Sequence, residues 1–296
     1  VERMIRVAPA GWSYPDWEGP VYPERRPRSF HPLRFLADFV DGMEVNSTFY
    51  AIPRAESVAK WAQLVEHKPA FRFTAKLYQG FTHGPEDEGR FELEAEAYRR
   101  GIEPLVRREK LDGLLVQFPV TFQHGPVEVR RLGRIRSLFA DFDLILEVRH
   151  RSWFEPPALA TLRGLHMSLA HIDLPDAWDH PPASHPPTGP IGYLRLHGRN
   201  AREWFRKGAG RDDRYNYLYP PEQVGDLARK ALSIDAESDT TWVVTNNHFE
   251  GQAIANALEF KYLLSGQQPQ PAPSQLIEAF PHLANITRSA GQQGLF

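Results

Sequence analysis

Short apolar runs rich in β-branched residues recur along the chain, and they alternate with longer segments whose apolar residues fall three and four positions apart. The first pattern predicts β-strands and the second predicts helices with one buried face. The predicted strands span residues 5–9, 42–46, 71–77, 113–118, 144–149, 166–172, 192–197 and 241–245. The predicted helices span residues 32–40, 57–66, 91–108, 127–139, 156–163, 222–232 and 252–264.

This alternation favours an α/β fold, a single (β/α)8 barrel of the TIM type, over residues 1–265. One unit differs from the others. Residues 174–190 contain six prolines, which predicts an irregular, extended crossover in place of the helix after strand six. Residues 266–296 are rich in Gln and Pro, and they predict a flexible C-terminal tail with one short helix at residues 274–280.

Nearly every predicted strand ends in a hydrogen-bonding or charged side chain. The carboxyl ends of the strands form the mouth of a barrel, where the active sites of such folds lie, and alternate residues of a strand share a face. The sequence therefore predicts a polar site at the mouth. Its candidate residues are Glu44, Asn46, Lys76, Gln117, Glu147, Arg149, Asp173, Arg195, His197 and Asn246.

Two arginines in this set, Arg149 and Arg195, predict a cationic fork that binds a phosphate or carboxylate, because planar guanidinium groups suit such anions. A second interpretation stays open. A carboxylate inside a barrel must be paired with a cation or lose its charge, so Glu44 and Glu147 could instead hold the arginines in a buried ion-pair network.

Candidate catalytic groups are also present at the predicted mouth. Glu147 or Asp173 could act as a base, Lys76 could stabilise developing charge, and His197 could shuttle protons or be a neutral, hydrogen-bonded histidine. Glu147, Asp173 and His197 could also hold one divalent cation. The nearby arginines would repel a metal, so we expect no cofactor, although a single divalent ion is possible.

Aromatic residues follow the ends of several strands. Trp12, Tyr50 and Trp153 could form stacking surfaces for sugar rings or bases, with core packing as the alternative. For Tyr14 and Trp17 we favour core packing. The irregular stretch at residues 198–220 adds further aromatic side chains on the mouth side.

Composition narrows the possible functions. The chain has 296 residues, with 35 Lys and Arg against 37 Asp and Glu, so its formal charge of −2 does not suit a protein that coats nucleic acid. It has no cysteine, which excludes thiol catalysis and thiolate metal sites. No apolar run approaches the roughly 18 residues that a membrane span needs. We expect a cytoplasmic location and no membrane partner.

Seven short motifs occur in order along the chain. They are Gly11-Trp12-Ser13-Tyr14, Glu44-Val45-Asn46-Ser47-Thr48-Phe49-Tyr50, Thr82-His83, Gln117-Phe118-Pro119, Glu147-Val148-Arg149-His150-Arg151-Ser152-Trp153, Tyr193-Leu194-Arg195-Leu196-His197-Gly198 and Asn246-Asn247. Together they resemble the signature of the DUF72 family, also called YecE-like. The resemblance covers residues 8–257 and implies a TIM-type barrel, but no reaction, because the family has no assigned function. His248 and Thr245 depart from the family pattern.

The last five residues, with Gln292, Leu295 and Phe296, resemble the short peptide with which bacterial DNA-processing proteins dock into the sliding clamp. An apolar pair on a polar tether is suited to such docking. The alternative is a frayed terminus without a partner.

Two hypotheses for the function remain. The first is an enzyme, such as a hydrolase of phosphate esters, that acts on a phosphate-bearing small molecule or a nucleic-acid phosphodiester. The second is a non-catalytic barrel that binds nucleic acid or a carbohydrate. A glycosidase with paired carboxylates is a weaker possibility, because an adjacent arginine keeps a carboxyl group ionised and unfit as a general acid.

Overall fold

The computed structural model describes residues 5–85, 88–177 and 180–289. Nine parallel strands of this part of the chain form the barrel. They are β1 (Ile5–Pro9), β2 (Gly42–Val45), β3 (Arg72–Lys76), β4 (Leu111–Gln117), β5 (Leu144–Glu147), β6 (Met167–Leu169), β7 (His171–Asp173), β8 (Ile191–Leu196) and β9 (Thr240–Thr245).

The strands form two parallel sheets that meet at both edges. One sheet has the order β2-β3-β4-β5-β6 and the other has the order β1-β9-β8-β7. A parallel bridge between Ala10 and Glu44 joins β1 to β2. At the other junction the chain itself joins the sheets, because only Ala170 separates β6 of one sheet from β7 of the other. The predicted TIM-type barrel is confirmed.

The predicted sixth strand, residues 166–172, is divided in the structure. Its first part, β6, pairs with β5, whereas its second part, β7, pairs with β8. Ala170 lies between the two parts and bonds back toward β5. The strand therefore changes its partner here, which an apolar run does not reveal.

Helices follow most strands and cover the barrel. They are α1 (Pro32–Leu36), α2 (Ser47–Tyr50), α3 (Ala55–Leu64), α4 (Glu88–Arg107), α5 (Pro126–Leu138), α6 (Pro156–Gly164), α7 (Ala201–Trp204), α8 (Arg211–Tyr215), α9 (Pro221–Ala236) and α10 (Gln252–Leu264). Among the described residues, no helix is long and apolar enough to cross a membrane.

The proline-rich crossover has no helix in its described part, residues 174–177 and 180–190, as predicted. Thr188 fixes its end, because its hydroxyl donates to the carbonyl oxygen of Met167 (2.6 Å) and accepts from the N–H of Leu169 (2.8 Å). The stretch at residues 198–220, predicted to be irregular, contains the short helices α7 and α8.

Apolar side chains fill two layers. The outer layer lies between the strands and the helices. The inner layer fills the barrel and includes Ala8, Leu115, Ile145, Tyr193 and Trp242. This inner packing closes the barrel below the carboxyl ends of the strands, so a ligand can enter only from the mouth or the outer surface.

The predicted tail is packed as far as the structure describes it. It contains β10 (Gln270–Ala272), α11 (Ser274–Ala279) and β11 (Thr287–Ser289), so the short predicted helix is present. Leu276 and Leu283 are fully buried, and their apolar area holds this segment against the barrel. The candidate docking residues Gln292, Leu295 and Phe296 lie outside the described residues.

Candidate functional site at the barrel mouth

Arg195 lies at the centre of the mouth and points into the barrel. Its neighbours in register, Ile172 on β7 and Val244 on β9, both belong to the inner apolar layer. Register partners in a parallel sheet share a face, so the side chain of Arg195 lies on the inner face as well. The residue is only 2% exposed.

Two carboxylates hold this guanidinium group. Its Nε and Nη2 donate to Glu44 at 2.8 and 2.6 Å, and its Nη1 donates to Glu147 at 2.9 Å. Nη1 also lies 3.4 Å from Gln117 Oε1 and 3.3 Å from His197 Nε2. Burial alone would lower the pKa of Arg195, but Glu44 and Glu147 raise it well above its usual range.

This geometry corrects the predicted role of Arg195. The guanidinium group is buried and already bonded to two carboxylates, so an anion from solvent cannot reach it without displacing them. The buried ion-pair network that the sequence left open is the arrangement found for Arg195, Glu44 and Glu147. Tyr193 completes it, because its hydroxyl donates to Glu44 Oε2 at 2.8 Å and lies 2.9 Å from Thr74 Oγ1.

Glu147 links this network to the edge of the mouth. Its Oε1 accepts from Arg149 Nη2 at 3.0 Å and lies 3.3 Å from His197 Nε2. Burial alone would raise the pKa of Glu147, but Arg195, His197 and Arg149 lower it well below its usual range. The carboxylate is therefore ionised at neutral pH and is a poor proton donor.

His197 is a neutral, positioning group in this structure. It is fully buried, and its Nδ1 lies 3.0 Å from Asn246 Nδ2. An amide nitrogen can only donate, so this contact places the imidazole proton on Nε2, facing Glu147. Burial lowers the pKa of His197 to about 4. The imidazole does not carry a charge near neutrality, which opposes the predicted role as a proton shuttle.

Lys76, at the end of β3, has a different environment from the other cations of the mouth. The residue is 8% exposed, and its Nζ lies 4.5 Å from the centre of the Phe49 ring. Among the described residues, the amine has neither a hydrogen-bond acceptor nor a carboxylate partner. Burial, followed by the charge of Arg195, lowers the pKa of Lys76 to about 8.

Arg149 lies farther out. Its side chain is 22% exposed, its Nε and Nη2 both face Glu147, and its guanidinium group lies 5.8 Å from the Trp204 ring. Its Nη1 has no acceptor among the described residues. Trp204 packs edge-on against Tyr215 at 5.6 Å, and the two rings form one wall of the mouth.

A cleft of about 260 Å3 lies beside the mouth, between the loop after β1 and the start of α2. Trp12 and Asn46 line this cleft. Asn46 Oδ1 is buried and has no hydrogen-bond donor in the described part of the chain. Trp12 is half-buried and packs edge-on against Trp61. Tyr50 is 68% exposed, so it remains available for stacking.

Asp173 does not belong to the site. Its register partner, Leu196, packs in the outer layer, so Asp173 points toward the helices. It accepts two close bonds from Arg199, at 2.6 and 2.9 Å, and one from the Tyr219 hydroxyl at 2.7 Å. The predicted role of Asp173 as a base at the mouth is corrected to an ion pair on the outer face.

The prediction for Trp153 also changes, because its side chain is buried. Trp153 is fully buried, its Nε1 donates to the carbonyl oxygen of Phe122 at 2.8 Å, and its ring stacks on Phe122. It is a packing residue and not a stacking surface for a ligand. Trp17 is fully buried and Tyr14 is half-buried, as we favoured from the sequence.

The predicted set of metal ligands is divided between two faces. Glu147 and His197 lie on the inner face, whereas Asp173 lies on the outer face. Within the described residues, no three Asp, Glu or His side chains are grouped so that they could share a metal ion. The donors at the mouth are also interleaved with Arg149 and Arg195, which do not suit a cation.

The site includes groups that the sequence prediction did not select. Tyr193 precedes Arg195 by two positions on β8, so period-two alternation alone would have placed it on the same face. Phe49 lies in one of the motifs, but its contact with Lys76 depends on the turn of α2. Trp204 and Tyr215 belong to the long stretch whose aromatic side chains the sequence placed on the mouth side, but the sequence did not predict their contacts.

Comparisons with known proteins agree with this architecture. The family model described as "Protein of unknown function DUF72" matches residues 6–277. UPF0759 protein YunF of Bacillus subtilis is 27% identical over 292 residues, an alignment that covers 92% of this chain and 99% of that protein. UPF0759 protein YecE of Escherichia coli is 31% identical over 166 residues, which cover 55% of this chain and 56% of that protein.

Two solved structures are similar over nearly their whole length. A DUF72 family protein from Thermotoga maritima superposes with a TM-score of 0.76 at 31% identity, covering 89% of this chain and 100% of that chain. A DUF72 family protein from Enterococcus faecalis gives a TM-score of 0.77 at 28% identity, covering 88% of this chain and 96% of that chain. From the ordered motifs, the barrel and these matches, we conclude that the chain belongs to the DUF72 family.

Proposed function

We propose that this barrel is an enzyme that acts on a phosphate-bearing substrate bound at its mouth. The observation that carries the proposal is an excess of positive charge there. Arg195, Arg149 and Lys76 face two carboxylates, Glu44 and Glu147, so the fully charged group carries one more positive than negative charge. A desolvated positive excess attracts anions more strongly than the same charges would in water.

Arg149 is the residue best placed to contact the phosphate. Glu147 binds one side of its guanidinium group, through Nε and Nη2, while Nη1 has no acceptor among the described residues and the side chain is 22% exposed. Guanidinium donors bind phosphate oxygens with short, charge-assisted hydrogen bonds. Trp204 below the guanidinium group holds its plane in place.

Lys76 is the group best suited to chemistry. A general acid or base works best when its pKa lies near the working pH, and the pKa of Lys76 is about 8. Glu147 stays ionised and His197 stays neutral, so they support the site by holding Arg149 and Arg195. A hydrolase of phosphate esters, including a nucleic-acid phosphodiester, fits this division of roles.

A non-catalytic binding barrel is the second candidate, and the exposed Tyr50 favours it. Its ring is 68% exposed at the edge of the mouth, where it could stack on a base or a sugar. Such a protein would bind nucleic acid or a carbohydrate through the same cations without turnover.

Calorimetry with ribose 5-phosphate, inorganic phosphate and ribose tests the proposal. We expect both phosphates to bind and ribose not to bind. Arg149→Gln should weaken phosphate binding by roughly tenfold or more, because a hydrogen bond to a charged group contributes about 1.5–3 kcal/mol. Arg151→Gln changes an exposed arginine two positions away and should keep the wild-type affinity.

Two results would count against the proposal. Equal affinity of Arg149→Gln and Arg151→Gln would show that phosphate binds by surface charge alone. Binding of ribose as tight as that of ribose 5-phosphate would favour the carbohydrate-binding barrel.

A further inference from the structure

Lys76 combines burial with the lack of a partner. Among the described residues, Lys68 pairs with Asp38, and Lys261 pairs with Asp41. Lys110 is as buried as Lys76, but its amine donates to two backbone carbonyl oxygens. A buried ammonium group without such partners is costly to keep charged. The structure thus leaves the amine of Lys76 free for a group that is not part of the chain.

The backbone that carries this side chain is held in place by hydrogen bonds. The carbonyl oxygen of Lys76 accepts hydrogen bonds from Thr48 Oγ1 at 2.7 Å and from the Tyr98 hydroxyl at 2.9 Å. The Phe49 ring covers the amine from the side of α2. The register partner of Lys76 on β4 is Leu115, a residue of the inner layer, so the amine lies inside the barrel.

We propose that Lys76 is a nucleophile that forms an imine with an aldehyde or ketone carbonyl of the substrate. The inference rests on the proposed function for the phosphate group that the substrate would also carry, and it gives Lys76 a covalent role in place of the acid–base role described above. Amines placed in apolar surroundings or beside another cation are the ones that act in this way, because a larger share of them is uncharged. Lys76 meets both conditions, because its amine lies against the Phe49 ring and the positive charge of Arg195 acts on it.

The step balances without a further reactant. The uncharged amine attacks the carbonyl carbon and forms a C–N bond, while a proton passes from nitrogen to the former carbonyl oxygen. The resulting carbinolamine then loses its hydroxyl group and the remaining N–H proton as water. One carbonyl and one amine therefore give one imine and one water.

The charges around Lys76 favour this reaction near neutral pH. Burial and the positive charges of Arg195 and Arg149 lower its pKa, whereas Glu44 and Glu147 oppose the shift. His83, which lies beyond Phe49, is held neutral by its own lowered pKa. Tyr98 stays protonated because burial raises its pKa. Lys76 is therefore the group that titrates in this cluster around pH 8.

Reduction with borohydride tests the inference, because it converts an imine into a stable secondary amine. The full chain is incubated with dihydroxyacetone phosphate or with dihydroxyacetone, reduced, digested, and analysed by mass spectrometry. We expect modification of Lys76 to exceed that of Lys110 by at least tenfold with dihydroxyacetone phosphate. Lys76→Met, with its fold checked by circular dichroism, should lose this adduct and keep the low labelling of Lys110.

The two probes separate this inference from the proposed function. Selective labelling of Lys76 to the same extent by both probes would support the imine and contradict the need for a phosphate. Labelling of Lys76 that does not exceed that of Lys110 with either probe would overturn the imine. In that case calorimetry still tests phosphate binding through Arg149 independently of the imine.

Discussion

The two ends of the barrel each contain a lysine that is 8% exposed, but the two amines differ in whether the chain supplies them with hydrogen-bond acceptors. At the amino-terminal end, Lys110 donates to the carbonyl oxygens of Lys68 and Pro69 at 2.9 and 3.1 Å. At the mouth, Lys76 has no such partner in the described part of the chain. Burial alone therefore does not identify a functional lysine. What distinguishes Lys76 is that its amine has no acceptor among the described residues and lies at the mouth, where a ligand can meet it.

The arginines at the two ends of the barrel also differ, in the burial of their ion pairs and in the number of groups that share each carboxylate. At the amino-terminal end, Arg6 shares Asp112 with Arg72 and with the Trp242 indole. At the mouth, Arg195 alone bridges Glu44 and Glu147 in the interior. The amino-terminal end holds a redundant, partly exposed network, whereas the mouth depends on one buried cation.

The largest expected effect comes from removing that cation. Arg195→Leu should reduce the free energy of unfolding by about 3–5 kcal/mol, because it leaves Glu44 and Glu147 buried without their shared partner. Arg6→Leu should cost about 1 kcal/mol, since Asp112 keeps two other partners. Urea unfolding of both variants measures the difference. Equal losses would remove the contrast between the two ends.

The second effect is a change in the free energy of unfolding with pH, which arises because the pKa of Lys76 differs between the folded and unfolded states. Its pKa is lowered from 10.5 to about 8 in the folded chain. Between these values the unfolded state binds more protons, so stability rises with pH there, and below pH 8 the full cost of the buried charge applies. The stability of wild type minus that of Lys76→Met should increase by on the order of 2–3 kcal/mol from pH 8 to above pH 10.

The matched control for this measurement is Lys68→Met, because Lys68 lies at the surface. Its difference from wild type should stay constant over the same range. The pKa of Arg195 is held well above its usual range and that of Glu147 well below its own, so neither group obscures the result. If the stability difference between wild type and Lys76→Met does not change with pH, the pKa of the Lys76 amine is not lowered by folding.

A smaller difference in stability is expected between substitutions of a buried aromatic residue and of an exposed aromatic residue at the mouth. Trp153→Phe should cost about 1–2 kcal/mol of stability, because it removes the buried indole bond to Phe122 and leaves a small cavity. Tyr50→Ala should change stability by less than about 0.5 kcal/mol, since the ring is exposed. Thermal unfolding compares them. A large loss for Tyr50→Ala would give that residue a structural role.

Much of the fold could be predicted because buried parallel strands and amphipathic helices have distinct periods. The division of strand six could not, since both parts are apolar and only the pairing of β6 with β5 and of β7 with β8 reveals it. The face of Asp173 follows from the register of β7 with β8, which places Ile172 inward and Asp173 outward. A strand end alone does not fix that choice.

The sequence predicted which residues form the candidate site better than it predicted the role of each residue. Alternation brought Glu44, Glu147 and Arg195 to one face, but whether Arg195 meets carboxylates or a ligand depends on distances across the barrel. The isolation of Lys76 likewise depends on which acceptors four other strands bring near its amine. These are tertiary properties that no local pattern contains.

A crystal structure of the protein soaked in phosphate tests the central claim, that the mouth binds a phosphate group through its free cationic donors. The account predicts one phosphate within hydrogen-bond distance of Arg149 Nη1, with Lys76 Nζ free of acceptors from the chain and the bonds of Arg195 to Glu44 and Glu147 unchanged. A saturated crystal in which phosphate binds only elsewhere, while Lys76 Nζ meets an acceptor of the chain itself, would contradict it.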